Sequence, residues 1–63
     1  MEFDAREELY FHIKENGPVG KSAIGVFVAV RPECTGKLNE LINEGYVIEK
    51  DGLYAVSQKE FEE

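Results

Sequence analysis

Gly17-Pro18-Val19-Gly20-Lys21-Ser22 is the stretch of this 63-residue chain that comes nearest to a chemical motif, because GKS closes the nucleotide-binding signature GxxxxGK[ST]. The signature needs a glycine five residues before Gly20, and Glu15 stands there, where its carboxylate would repel phosphate. So short a chain also cannot supply the parallel sheet that frames such a loop. A helix stop, a turn and a helix start account for all six residues. His12 is the only histidine, and spacing forces no serine, cysteine or carboxylate beside it, so it reads as a half-exposed helix residue and not as a general base. Cys34, four residues before Leu38, reads as a small core residue whose neighbour Glu33 disfavours a thiolate. A single cysteine excludes an intrachain disulfide, and no CxxC or His/Cys cluster offers a metal site. Glu7-Glu8 and Glu62-Glu63 read as solvated faces. The sequence therefore points to no catalytic residue, no metal and no cofactor.

Charge recognition is the chemistry that remains. The formal net charge is -6, unevenly spread. Residues 1 to 16 set two cations against five carboxylates, and residues 44 to 63 set two against six. Between them, residues 17 to 43 set Lys21, Arg31 and Lys37 against Glu33 and Glu40, the only third that is not acidic. Phosphate contacts supply most non-specific affinity for nucleic acid, so the total argues against a general polyanion binder while the middle third allows a local one.

The elements that must position these residues follow from periodicity and turn chemistry. Asp4 to Asn16 carries Leu9, Tyr10 and Ile13 at helical spacing, with Phe3 and Ala5 extending the apolar side. Asp4-Ala5-Arg6-Glu7 fits a capping box, and Asn16-Gly17-Pro18 ends the helix. Ser22 is a candidate N-cap for Ala23 to Val30, where Ile24, Phe27 and Val28 have helical spacing but β-branched residues and Gly25 lower helix propensity. Local preference leaves that run open between a short helix and a buried strand. Pro32 opens a further amphipathic helix in which Cys34, Leu38, Leu41 and Ile42 follow one face, and Gly45 stops it. Tyr46 to Lys50 and Leu53 to Ser57 flank Asp51-Gly52, a dipeptide suited to a two-residue type I′ hairpin turn. That turn pairs Lys50 with Leu53, Glu49 with Tyr54, Ile48 with Ala55 and Val47 with Val56, and leaves neither face cleanly polar. Residues 58 to 63 form an acidic tail expected to fray.

The run LNELINEGYVIEKDGLYAVS, with Leu38, Leu41, Gly45, Tyr46, Val47 and Tyr54, resembles the second half of a winged helix-turn-helix domain. The resemblance covers about residues 4 to 57. It implies an α+β fold, one domain of three helices with a C-terminal two-stranded hairpin wing and a short third strand near residues 18 to 20. It also implies that Ala23 to Val30 is helical. The departures are the β-branched second helix, the short turn before Pro32, and Glu33 and Glu40 on or near the recognition face.

On that reading the helix starting at Pro32 enters the major groove of duplex DNA. Its outer face carries Thr35, Gly36, Lys37, Asn39 and Glu40, with Arg31 just before it. Lys21 and Ser22 would grip the phosphate backbone from a helix start, and Lys50 at the wing tip would reach a second phosphate or the minor groove. A DNA-binding transcriptional regulator is thus the leading expectation. The alternative is an acidic winged helix that binds a basic protein partner as an adaptor or inhibitor, and a homodimer is compatible with either. No apolar run reaches the ~18 residues of a membrane span, and the N-terminus lacks a signal-peptide pattern, which together suggest the cytoplasm.

Overall fold

The computed structural model describes residues 4–59. Helix α1 runs Ala5–Asn16. Asp4 caps it, its Oδ1 accepting from the Arg6 amide at 2.9 Å, while the Arg6 guanidinium closes back on the same carboxylate at 3.2 Å. The return bond expected from Glu7 is absent among the described residues. Gly17, at φ 71°, lets the chain leave the helix into strand β1, Val19–Gly20. This is the short third strand anticipated near residues 18 to 20.

Helix α2 occupies Lys21–Val30, so the β-branched run is helical. It begins earlier than its propensities suggest. Gly20, at extended φ and ψ, is the N-cap and offers no side-chain bond, which puts Ser22 inside the first turn instead of at the cap. Sheet pairing explains the shift: Val19 and Gly20 pair with Tyr54 and Leu53, so the chain turns into the helix directly where the ladder ends.

The third helix departs most from expectation. Pro32–Cys34 forms one 3₁₀ turn, and the α-helix proper, α3, covers only Lys37–Asn43. The Thr35 hydroxyl donates to the Pro32 carbonyl at 2.7 Å and the Thr35 amide donates to the same oxygen at 3.1 Å. A continuing α-helix would give that oxygen to Gly36. Gly36 instead adopts φ 78°, a left-handed conformation that starts a new helix. The inward direction of the spacing survives the break, since Cys34 and Leu41 are fully buried and Leu38 and Ile42 half-buried.

After α3 the Gly45 amide donates to Ile42 and the Tyr46 amide to Leu41, the paired bonds of a Schellman stop with Gly45 at φ 87°. Strands β2, Val47–Lys50, and β3, Leu53–Val56, follow in the anticipated register, with Asp51 and Gly52 both at positive φ. The sheet order is β1-β3-β2, all antiparallel. The result is the α+β arrangement of three helices and a C-terminal hairpin wing. Its core joins Leu9, Tyr10 and Ile13 of α1 to Val19, Ile24, Cys34, Leu41, Val47 and Tyr54.

Lys59, placed by the sequence in a frayed tail, is held. Its carbonyl accepts from the Tyr10 hydroxyl at 3.2 Å, its Nζ donates to the Glu44 carbonyl at 2.8 Å, and that ammonium sits 4.5 Å from the Tyr46 ring centre. Residues 60 to 63 of the acidic tail, and Phe3, lie outside the described residues.

Candidate functional site

The six residues expected to contact DNA fall at two places along the chain, Lys21, Ser22 and Lys50 near one end of the sheet and Arg31, Thr35 and Lys37 from the end of α2 to the start of α3. Lys21 and Ser22 are exposed on the first turn of α2. Lys50 is exposed at the wing, and because Gly20 and Lys50 both pair with Leu53 from opposite sides, Lys21 and Lys50 stand at the same end of the sheet. Two strand spacings, about 10 Å, separate the backbones of Gly20 and Lys50. Neither lysine has an ion-pair partner among the described residues.

Arg31 closes the other end of α2, about 15 Å from Lys21 at helical rise. Its Nε lies 3.0 Å from Glu8 Oε1, so one carboxylate of α1 already answers it. Lys37 is likewise engaged, 3.0 Å from Glu40 one turn along α3. Thr35 spends its hydroxyl proton on Pro32. The cations near the expected recognition helix are thus locally neutralised, and α3 is two turns long.

A different surface stands out. No Asp or Glu occurs between Glu15 and Glu33, so α2 and its flanks hold none of the thirteen carboxylates. From Ala23 to Val30 every residue is apolar or glycine, yet only Ile24 is buried, and Val26 and Val30 are 67% and 72% exposed. Between α1 and α2 runs a groove of about 520 Å³, floored by Val19, Ala23, Val26, Phe27 and Val30 and edged by His12, Asn16 and Arg31. His12 and Phe27 stack across it with ring centres 4.0 Å apart and planes 22° from parallel. Asn16 fixes the α1 edge by donating to the His12 carbonyl at 2.7 Å. Propensity had drawn attention to Ala23–Val30 only as a choice between helix and strand. The available signal, an apolar run too even to have a polar face, was in the sequence.

A smaller apolar surface lies on the outer side of the wing, where Ile48 and Leu53 are half-exposed beside Pro18 and Ala55. The core cysteine is inert by position. Cys34 Sγ faces the Ala5 carbonyl at 3.6 Å, and burial, then Glu8 and Glu33, push its thiol pKa up. Among the described residues no group of three or more His, Cys, Asp or Glu could hold a metal, and no helix is long and apolar enough to cross a membrane.

One tertiary contact had no local signal. Arg6 reaches across thirty-eight positions to grip both oxygens of Glu44 at 2.6 Å, joining the start of α1 to the end of α3. Asp4 and Glu44 together raise the Arg6 pKa. No protein-family model, curated protein or solved structure matches the chain.

Proposed function

We propose that this chain is a non-catalytic protein-docking module on a winged helix scaffold, with α2 as its docking face. One observation carries the reading: a helix apolar on every side is ordinarily enclosed, and here Val26 and Val30 face solvent. Covering such a side chain fully is worth ~1.5–3 kcal/mol, so a partner gains from seating here. Contiguous exposed apolar surface of this kind marks interaction sites. The resemblance to winged helix domains supports the scaffold, and the function rests on the surface, since a fold by itself assigns none.

The test is a photo-reactive amino acid placed at position 26 or, as a control, at position 50, in the cells that make the protein. We expect position 26 to yield a protein adduct that the purified adduct partner reproduces as a stoichiometric complex, lost in Val30→Asp. Crosslinks at position 50 alone, to nucleic acid, would overturn the reading.

A second reading, DNA binding, keeps one supporting observation. Lys21 and Lys50 are exposed, unpaired among the described residues and at one end of the sheet, with Ser22 beside them. Two lysines supply a weak phosphate grip, and Arg31 and Lys37 would have to leave Glu8 and Glu40 to extend it.

A further inference from the structure

We infer that the occupant of α2 is a second copy of this chain, an inference that rests on the docking reading of this face. The outer side of the helix carries two adjacent rows at i, i+4 spacing. Ser22, Val26 and Val30 form a ridge, and beside it Gly25 and Ala29 leave a furrow, since one has no side chain and the other a single methyl. All five residues are exposed. A face that bears both a ridge and the furrow to receive it is complementary to itself. A two-fold axis would seat the Val26 and Val30 of each copy in the furrow of the other, with the helices crossing at about 50°.

Gly25 supplies a second, separate observation. Glycine inside a helix costs stability, and a Cβ at position 25 would meet nothing within 4 Å, so packing within the chain does not call for it. Close approach of another backbone does. Charge fits the same occupant. The five residues are uncharged and no carboxylate lies between Glu15 and Glu33, so two chains of net charge -6 meet through the stretch where neither carries one. Lys21 and Arg31 stand at opposite ends of α2, which splay apart at such a crossing, and Glu8 already answers Arg31. A charged helix or duplex DNA would find no matching charge at the centre of this face. Repulsion between the remaining carboxylates acts at longer range, where salt screens it.

The experiment is sedimentation of the full chain from about 10 μM to about 1 mM, with amide resonances followed over the same range. The chain should dimerise with concentration, Ser22, Gly25, Val26, Ala29 and Val30 should shift while the hairpin does not, and added salt should tighten the dimer. Val26→Asp should leave a monomer. Gly25→Leu is the sharper variant, because leucine favours the helix and should raise the urea midpoint, yet it fills the furrow and should weaken dimerisation about tenfold or more. Tighter association of Gly25→Leu would show general stickiness in place of a fitted contact and overturn the inference. Shifts confined to the hairpin, or a dimer that salt dissociates, would overturn it too. A chain monomeric to about 1 mM would also overturn it, while a crosslink from position 26 to another protein would then keep the docking reading. No protein adduct at position 26 would sink both.

Discussion

Asp4 carries two tasks that its position in the chain makes inseparable: it caps α1 and it orients Arg6 toward Glu44. The guanidinium of Arg6, followed by backbone donation from Arg6 and Glu7, holds the Asp4 carboxyl below its ordinary 3.8 despite some opposing desolvation. A carboxyl depressed in the folded chain adds stability that is complete above its unfolded pKa and disappears as pH falls through the lower folded value. The Asp4 side chain is 35% exposed, so solvent screens the ion pair and the cap supplies most of the effect. Asp4→Ala should therefore cost about 1 kcal/mol in urea unfolding at pH 7. Asp4→Asn, which keeps a capping oxygen, should cost less. Below pH 3.8 the difference between the parent chain and Asp4→Ala should shrink as pH falls through the lowered Asp4 pKa, toward the smaller gap that the neutral capping oxygen of Asp4→Asn keeps. A gap that stays undiminished in acid would show that the Asp4 charge contributes nothing to it.

At the scale of elements, two glycines make opposite predictions. Gly36 at φ 78° separates the 3₁₀ turn from α3, and a Cβ there would touch nothing, so the cost of Gly36→Ala is conformational alone, ~1–2 kcal/mol. Gly25 lies inside α2 with ordinary helical dihedrals and open space around it, so Gly25→Ala should stabilise the domain by ~0.5–1 kcal/mol. Paired urea melts read both signs, and a neutral Gly36→Ala would mean that α3 can run back to Pro32 as one helix. That continuous helix is what the sequence suggested, and the reason it does not form shows where legibility ended. The hairpin register, the Asp51-Gly52 turn, the Gly45 stop and the brief β1 strand are encoded by neighbours and could be read directly. The helical state of Ala23–Val30 follows from the resemblance, where local preference leaves helix and strand open. The break at Thr35-Gly36 depends on which donor wins the Pro32 carbonyl, a contest that apolar spacing does not register. The candidate site fared similarly. Lys21, Ser22 and Lys50 are exposed as expected, but the ion pairs that occupy Arg31 and Lys37, one of them to α1, follow from tertiary packing.

For the whole molecule, the question is how an acidic chain distributes its few cations between itself and others. Each phosphate neutralised on duplex DNA releases counterions and contributes about -0.9 to the slope of log affinity against log salt. With Lys21 and Lys50 as the free pair near the sheet, the slope for a short duplex should be no steeper than about -2, and binding should be immeasurable near physiological salt. Lys21→Gln and Lys50→Gln should each remove about one unit of whatever slope is seen at low salt, and Lys37→Glu should change nothing. A slope between about -2 and about -3.6 would require Arg31 and Lys37 to exchange Glu8 and Glu40 for phosphates. That exchange is energetically cheap, because exposed ion pairs are worth only ~0–1 kcal/mol, so the measured slope, and not the presence of the pairs, discriminates the two readings. Under the docking reading a complex seated on α2 behaves differently. Its affinity comes mainly from covering Val26 and Val30, so raising salt should not weaken it, while Val26→Asp abolishes it at every ionic strength.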